Sequence, residues 1–412
     1  MQSPVDIVHS VDKCDIRRCV CGNLLVASVA LVTACGTPTT SPSVSPRSTP
    51  SPRHALNEPA ASPTLLAAWR SYITVFIKQG RVIDPRSNSN TTSEGQSYAL
   101  LRAAWMNDRA TFDDVWSWTQ SHLWDDSTQR FGWLWSGAES RSLSHDSATD
   151  ADQDIALALI FASRRWADGA YVDWAHRVLR GLWENGVASL NGTPYVVAGN
   201  WAAHSTGTSL VLNPSYFAPY AYRIFASFDT SRPWMSLVGS SYAALNACTQ
   251  APLAAVKSAG LPPNWCVLDV NGRVSSFTDK SDGDDYGYDA FRVMWRVALD
   301  AAWNNASSAT SYLSSQLFLQ QQWQTHHSLI AVYGHDGSPK ASYEDPAVYG
   351  GDAGAFLGRS NEMSAAILQK LTTSFNQTAS TAYWGQQDNY YAQNWAWFGT
   401  ALLSGDLPNL AG

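Results

Sequence analysis

The sequence predicts an all-α protein built as a closed ring of paired helices. From Thr64 onward the apolar residues recur every three or four positions, which is the spacing of helices that bury one face. The connecting segments are rich in Gly, Pro, Asn and Asp, and no sustained alternation of strand and helix patterns interrupts them. About eleven or twelve helices exceed a simple bundle, and a toroid of helical hairpins buries such a set economically.

The spacing gives the helices in chain order. The first contains Leu65, Trp69, Tyr72, Ile73 and Phe76, and another carries Ile155, Leu159 and Ile160 after a cluster of Asp residues. Further helices are predicted over residues 97–107, 110–122, 171–183, 215–228, 234–247, 289–303, 311–323, 362–374 and 391–403. Short strands are expected in loops such as 193–198. Strict internal repeats are not visible, which disfavours a solenoid.

Residues 1–63 differ in composition from the rest. Arg17 and Arg18 precede the apolar run 20–31, which is typical of an export signal and too short for a permanent membrane span. The order Val32-Thr33-Ala34-Cys35 resembles a bacterial lipoprotein cleavage site with Cys35 as the lipidated residue, and an ordinary signal peptide cut near Ala34 is the alternative. We expect a signal peptide over 1–35, a Thr-, Ser- and Pro-rich linker over 36–63 and one folded domain over 64–412. The protein would then be secreted or held at the cell surface through lipidated Cys35.

Charge and composition narrow the possible partners. The formal net charge of −7 and the pI near 5.7 argue against a nucleic acid, whose binding requires clustered Lys and Arg. The 19 Trp and 17 Tyr offer flat surfaces that can stack on sugar rings, although most should pack in the core. Scattered His residues predict no transition-metal site and no cofactor. Cys248 and Cys266, the two cysteines of the folded domain, form either a disulfide or two buried thiols. We expect a monomer.

Three segments place carboxyl groups where a helix begins. Glu94 lies in segment 91–98, Asp150 and Asp152 lie in segment 148–156, and Asp289 lies in segment 286–296. Each has an ordinary alternative, because helix caps and helix dipoles favour acidic residues in a first turn. Cleavage of a glycosidic bond needs an acid to protonate the leaving oxygen and, with inversion, a base to activate water. Two separated carboxyl groups suffice for that chemistry.

The three segments resemble the motifs of glycoside hydrolase family 8, a family of inverting endoglucanases, chitosanases and xylanases. The resemblance runs from about Trp69 to Leu403 and implies an (α/α)6 toroid for the domain. It is strongest toward the cellulases of bacterial cellulose-synthesis systems. The motifs are Ser93-Glu94-Gly95, Ala148-Thr149-Asp150-Ala151-Asp152, Asn213-Pro214-Ser215-Tyr216, Tyr288-Asp289-Ala290 with Arg292, and, for the cellulases, Asn107-Asp108-Arg109-Ala110 and Trp133-Leu134-Trp135.

The resemblance implies roles for the three carboxyl groups. Glu94 would be the general acid, Asp289 the general base, and Asp150 would bind and distort the sugar beside the scissile bond. The expected activity is endo-acting hydrolysis of a β-1,4-glucan such as cellulose, with inversion and without a metal or cofactor. The predicted substrate-binding residues are Trp133, Trp135, Asp152, Tyr216, Tyr288 and Arg292, with Trp124 and Trp201 as further stacking candidates.

Further details of these roles also come from the resemblance. Tyr216 and Tyr288 would orient the attacking water, and Arg292 would keep Asp289 ionised. Two other functions stay open. Chitosan or xylan could replace cellulose, and chitosan would call for extra carboxylates such as Glu139, Asp146 and Asp285. A non-catalytic glycan-binding lipoprotein of the same fold is the second alternative, although the presence of all three carboxyl groups argues against it.

Overall fold

A computed structural model describes residues 62–203, 207–358 and 360–412. The predicted signal peptide and the predicted linker up to residue 61 lie outside the described residues. Ser62 caps the first helix through its side chain, and Pro63 occupies the first helical position. The first described helix therefore includes the last residue of the predicted linker, with the residue before it as the N-cap.

Helices dominate the described residues. Six of them, α2, α4, α7, α9, α12 and α14, are mostly buried. In chain order the helices are α1 Pro63–Phe76, α2 Ser93–Trp105, α3 Arg109–Leu123, α4 Thr149–Trp166, α5 Gly169–Gly186, α6 Asn200–Ala203, α7 Pro219–Phe228, α8 Trp234–Gln250, α9 Arg292–Asn304, α10 Ser307–Ser315, α11 Leu317–His326, α12 Pro346–Phe356, α13 Asn361–Ser374 and α14 Tyr390–Ser404.

The strands are short and antiparallel, and they lie in the loops between helices. They form four hairpins (β1–β2, β4–β5, β8–β9, β13–β14) and two three-stranded sheets (β3–β6–β7 and β10–β11–β12). Their bounds are β1 Ile77–Lys78, β2 Arg81–Val82, β3 Thr91–Thr92, β4 Trp124–Asp125, β5 Arg130–Phe131, β6 Leu134–Ser136, β7 Arg141–Ser142, β8 Val187–Leu190, β9 Thr193–Val196, β10 Ser209–Leu212, β11 Cys266–Asp269, β12 Val274–Ser275, β13 Phe375–Gln377 and β14 Ala382–Trp384.

The helices pack as two concentric rings. The inner helices follow one another as α2, α4, α7, α9, α12 and α14, and each packs against an outer partner: α3, α5, α8, α10, α13 and α1 respectively. Contacts between α14 and α2 close the inner ring, where the Tyr98 ring meets the edge of Trp395 and the Arg102 guanidinium donates to Asn394 at 2.9 Å. The predicted all-α toroid of helical hairpins is confirmed.

One inner helix was missed by the sequence analysis. Helix α12 contains three glycines, which lower helix propensity and concealed its periodicity. Close packing explains them, because a Cβ atom at Gly351 would lie 1.9 Å from Cδ2 of Phe291 and one at Gly354 would lie 2.0 Å from the carbonyl oxygen of Met294. The predicted helix 311–323 is likewise wrong in one respect, since Gln316 divides it into α10 and α11.

A disulfide joins Cys248 near the end of α8 to Cys266 at the start of β11. Of the two alternatives for these cysteines, the disulfide is therefore the one that the structure contains. It connects the outer helix α8 to the three-stranded sheet β10–β11–β12. Among the described helices, none combines the length and the hydropathy needed to cross a lipid bilayer.

Candidate active site

The segment 91–98 places Glu94 in the first turn of inner helix α2. Thr92 is the N-cap, since its hydroxyl accepts a hydrogen bond from the Gly95 N–H at 3.0 Å. The buried side chain of Gln96 accepts from the Val82 N–H at 2.6 Å and anchors the helix to β2. Because Thr92 performs the capping, the Glu94 carboxyl is free to turn inward, and its side chain keeps 21% exposure.

Helices α4 and α9 face each other through two pairs of opposite charge. Asp150, in the first turn of α4, accepts from Arg292 Nη1 at 3.0 Å. One turn further along both helices, Asp154 receives two hydrogen bonds from Arg296, at 2.8 and 2.7 Å. All four side chains are at most 3% exposed. Removal of one partner from such a buried pair costs about 3–5 kcal/mol, so the register of α4 against α9 is strongly fixed.

Asp289 lies in the loop that leads into α9. One of its carboxylate oxygens accepts from Arg292 Nη2, and the other accepts from the Trp265 indole N–H at 3.1 Å. Its side chain is 32% exposed, more than those of Glu94 and Asp150. Each carboxylate oxygen has two lone pairs, so a bound water can still donate to Asp289 while both fixed donors hold it in place.

Arg292 connects the three predicted catalytic residues. Its Nη1 lies 2.6 Å from Glu94 Oε2 and 3.0 Å from Asp150 Oδ2, while its Nη2 contacts Asp289. The predicted contact with Asp289 is therefore present, and the contacts with Glu94 and Asp150 are additional. Within the residues that the structure describes, no group of three His, Cys, Asp or Glu side chains is arranged to hold a metal ion. The positive charge among these carboxyl groups is that of Arg292.

The electrostatics of this cluster favour a protonated acid. Burial raises the pKa of Glu94 to about 7, with Asp150 and Asp289 adding to the rise and Arg292 opposing it. Burial likewise raises the pKa of Asp150 to about 6, again against the attraction of Arg292. Glu94 and Asp150 share one guanidinium, that of Arg292, so their titrations are coupled. In mildly acidic solution Glu94 can hold the proton that a general acid must deliver.

Three tyrosines line the same cluster. The Tyr390 hydroxyl donates to Glu94 Oε1 at 3.3 Å, and the Tyr98 hydroxyl accepts from Arg292 at 3.2 Å. The ring of Tyr216 lies 5.5 Å from Arg292 Cζ. Burial raises the pKa of all three hydroxyls well above the usual range, so they stay protonated and can donate hydrogen bonds. Tyr216 was predicted at the site; Tyr98 and Tyr390 were not singled out, although Tyr98 lies in the segment 91–98 that carries Glu94.

The Tyr288 hydroxyl contacts the residue that begins α12. Its hydroxyl donates to Asp345 Oδ2 at 2.9 Å, at the N-cap of α12, and lies 3.4 Å from the Tyr343 hydroxyl. Its backbone carbonyl accepts from the Tyr391 hydroxyl. Because its proton is donated to Asp345, the hydroxyl could only accept a hydrogen bond from the attacking water, and its role there stays a prediction.

Asp152 is a structural residue, and its predicted role in substrate binding is wrong. Its carboxylate accepts from Arg130 Nε at 2.6 Å and from the Phe131 N–H at 3.0 Å, and its side chain has no solvent exposure. Helical periodicity explains the difference. Two positions beyond Asp150, the side chain points to another face of α4, toward strand β5.

The predicted aromatic platforms divide into three groups. The Trp133 carbonyl accepts from the Ser93 N–H at 3.0 Å, which places this half-buried residue beside the start of α2. Trp135 packs edge-on against Trp118 and His122 of α3, with ring centroids 5.4 and 5.0 Å away. Trp124 packs in the same way against Phe131 and Trp174. Trp201 is different, because 40% of it is exposed.

Trp265 was missed by the sequence analysis. Besides its hydrogen bond to Asp289, its ring lies 6.3 Å from Trp201, 5.9 Å from Phe277 and 6.0 Å from Tyr216. It therefore connects the exposed Trp201 to the predicted base. It lies outside the quoted motifs, and its only signal in the sequence is an aromatic residue in the Gly- and Pro-rich loop before a cysteine.

The double ring of helices, with three carboxyl groups converging on Arg292, defines an (α/α)6 protein with a candidate acid–base site. The model of the glycosyl hydrolases family 8 matches residues 46–396. The chain therefore belongs to glycosyl hydrolase family 8.

Similar proteins bear endoglucanase names. Endoglucanase C of Ruminiclostridium cellulolyticum is 32% identical over 232 residues, covering 56% of this chain and 46% of that protein. An endoglucanase of Escherichia coli K12 is 27% identical over 337 residues, covering 80% of this chain and 86% of that protein. The crystal structure of an endo-1,4-D-glucanase from Vibrio fischeri superposes with a TM-score of 0.67 and 23% identity, covering 81% of this chain and 93% of that one. The chain spans slightly less than half the length of several curated relatives that it matches.

Proposed function

We propose that this protein is an endo-acting, inverting hydrolase of β-1,4-glucan, with Glu94 as the general acid and Asp289 as the general base. The observation that carries the proposal is the convergence of Glu94, Asp150 and Asp289 on Arg292. Glu94 and Asp289 are the two most exposed of the three, as residues that touch substrate and water must be. The endoglucanase names of its relatives support a β-1,4-glucan as the substrate.

The proposed reaction has one chemical step. Glu94 gives its proton to the glycosidic oxygen as the bond to the anomeric carbon breaks, and water attacks that carbon from the opposite face. Asp289 takes the proton of the water. After the step Glu94 is ionised and Asp289 is protonated, and exchange with solvent restores the starting state. No covalent intermediate forms, so the configuration inverts.

Asp150 would act as the most deeply buried carboxyl group of the cluster. It is 2% exposed and shares Arg292 Nη1 with Glu94. A buried carboxylate at this position can accept a hydrogen bond from a sugar hydroxyl that reaches it. Such a contact would favour the distorted ring that leads to the transition state. This role remains part of the proposal.

The first test measures release of reducing ends from carboxymethyl cellulose by the wild type, Glu94→Gln and Asp289→Asn. Loss of either carboxyl should lower kcat about 10²–10⁴-fold, the usual contribution of a positioned acid or base. The matched control is Glu362→Gln at an exposed position of α13, which should behave as the wild type. Proton NMR of the first product distinguishes the stereochemistry. A product of retained configuration would contradict the roles assigned to the two carboxyl groups.

Chitosan is the less favoured polymer. Its ammonium groups need carboxylates without cationic partners, yet Glu139 accepts from Arg141 Nε at 2.8 Å and Asp285 lies 4.0 Å from Lys340 Nζ. Asp146 is exposed. A panel of carboxymethyl cellulose, mixed-linkage β-glucan, glucuronoxylan and chitosan ranks the substrates. Activity on none of them would favour the glycan-binding alternative.

Attachment to a membrane is a separate part of the proposal. The order Val32-Thr33-Ala34-Cys35 after an apolar run, and the Thr-, Ser- and Pro-rich stretch that follows, support an exported protein anchored by a lipid on Cys35. Mass spectrometry of the mature N-terminus would identify the lipid. Cys35→Ala should release the protein from membranes. Light scattering of the purified protein tests the expected monomer.

A further inference from the structure

Two consecutive residues, Asn264 and Trp265, hydrogen-bond to the loop that carries Asp289, and Cys266 follows them in the chain. Asp289 is in an irregular segment before α9 rather than within a helix, so the hydrogen bonds of a helix do not hold it. It is also the most exposed of the three carboxyl groups. A base in such a position needs support from elsewhere in the fold.

Asn264 holds the backbone on both sides of Asp289. Its Oδ1 accepts from the Gly287 N–H at 3.2 Å and from the Ala290 N–H at 2.9 Å. Its Nδ2 donates to the Asp282 carbonyl at 3.0 Å, and the residue is 3% exposed. One buried amide therefore fixes the turn that presents the base.

Trp265 holds the side chain of Asp289. Its indole N–H donates to Asp289 Oδ2 at 3.1 Å, opposite the oxygen that contacts Arg292. Its backbone N–H donates to the Gly283 carbonyl at 2.8 Å, which ties the residue to the same loop. Its ring meets Tyr216 edge-on. With these contacts, the carboxylate plane of Asp289 is set by two donors on separate elements.

Cys266 anchors the other two residues. It begins β11, where it pairs with Leu212 of β10, and its disulfide partner Cys248 lies near the end of the 17-residue helix α8. The covalent bond connects the segment directly to the outer ring. A displacement of residues 264 and 265 would therefore have to move β11 or α8.

We propose that Asn264-Trp265-Cys266 is a positioning unit for Asp289, in which Trp265 orients the carboxylate and the Cys248–Cys266 disulfide is the anchor. The inference rests on the proposed function, because it takes Asp289 as the group that activates water. Trp265 is a positioning residue, since it acts through Asp289. The unit should affect the rate of the chemical step more than the binding of the polymer.

The kinetic test uses Trp265→Phe in the full chain, which keeps an aromatic ring and removes the N–H donor. We expect kcat on carboxymethyl cellulose to fall about 10- to 100-fold, as for a misplaced reacting group, while KM changes less than about two-fold. Trp183→Phe is the control, because Trp183 packs on Trp234 in the outer ring and is remote in sequence from the motifs. An unchanged kcat in Trp265→Phe, or a loss confined to KM, would overturn the inference.

The second test does not require activity. In protein labelled with ¹⁵N-tryptophan, the indole resonance that disappears in Trp265→Phe belongs to Trp265. That resonance should shift in Asp289→Ala, which removes its acceptor, and should shift or broaden in Cys248→Ala/Cys266→Ala, which removes the anchor. A resonance that is insensitive to both changes would refute the unit even if all variants fold.

The two tests separate this inference from the proposed function. If the wild type cleaves no polymer of the panel, the proposed function fails, and the NMR measurement still decides whether Trp265 holds Asp289. If the wild type is active and Trp265→Phe matches it in kcat, the proposed function stands and the positioning unit fails. The double cysteine variant should lose kcat in the same direction as Trp265→Phe but by a smaller factor.

Discussion

Asp352 in the middle of α12 offers a test of the electrostatics beneath the site. Its side chain has no exposure, and its carboxyl accepts a hydrogen bond from the Tyr286 hydroxyl, three residues before Asp289. Its second oxygen, Oδ2, is buried without a hydrogen-bond partner. Burial raises the pKa of Asp352 to about 8, with the Tyr286 hydrogen bond opposing the rise. The folded protein therefore keeps this carboxyl neutral at pH 7.

The consequence is a loss of stability with rising pH. In the unfolded chain Asp352 releases its proton near pH 4, whereas the folded state retains it up to about pH 8. Its contribution is complete below about pH 4 and disappears as pH rises to about 8, at about 1.4 kcal/mol per pH unit and about 6 kcal/mol in total. Asp352→Asn removes this dependence. It keeps an acceptor for Tyr286 but leaves a buried amide N–H₂ unpaired, which costs about 1–3 kcal/mol.

The wild type should therefore be the more stable protein at low pH, and Asp352→Asn should be the more stable protein at high pH. Urea unfolding followed by tryptophan fluorescence should find Asp352→Asn less stable than the wild type at pH 4.5 and about 3–5 kcal/mol more stable at pH 8.5. In Tyr286→Phe, which lacks the hydrogen bond that lowers the Asp352 pKa, the decline should extend to higher pH. Parallel stability curves for the wild type and Asp352→Asn would refute the reasoning.

Three further predictions concern the site and the rings around it. The pH profile of kcat/KM should decline above about pH 7, because Glu94 loses its proton there, and Glu94→Gln should abolish that limb. Asp152→Asn should lower the unfolding free energy by about 3–5 kcal/mol through its buried pair with Arg130, whereas KM for carboxymethyl cellulose should stay the same. Gly351→Ala should destabilise the protein by about 1–3 kcal/mol, since its Cβ would clash with Phe291 beside the Asp289 loop, and calorimetry measures the fall in Tm.

The sequence predicted the ring well because most of its helices carry one apolar stripe. The stripe of α5, for example, includes Tyr171, Ala175, Val178 and Leu182, which are all buried. Helix α12 was missed because its glycines are required by the packing of neighbouring helices. Gly350, Gly351 and Gly354 allow backbone atoms and rings of α14 and α9 to approach α12 closely. A requirement set by another helix leaves no periodic signal in the segment itself.

The predicted site residues also carry a signal within their own segment, whereas the missed residue does not. Glu94, Asp150 and Asp289 were found because each lies in a motif near the predicted start of a helix, and the structure brings all three to Arg292. Asp152 was assigned to substrate by its nearness to Asp150 in sequence, but a two-residue step on a helix turns the side chain to another face. Trp265 is 24 positions from Asp289, and only the fold reveals its contact.

Arg292 shows what a motif alone cannot specify. From the segment around Asp289, its spacing three residues later suggests a partner for that one carboxylate, and this partnership exists. The inner ring also aligns α2 and α4 with α9, so that Glu94 and Asp150 reach the same guanidinium. One positive charge then faces three carboxyl groups, and burial makes the ionisation of Glu94 and Asp150 unfavourable. A bound proton reduces the excess of negative charge, and the pKa of Glu94 at about 7 indicates that Glu94 holds this proton. The acid of the proposed reaction is thus a property of the ring that gathers these residues, as much as of Glu94 itself.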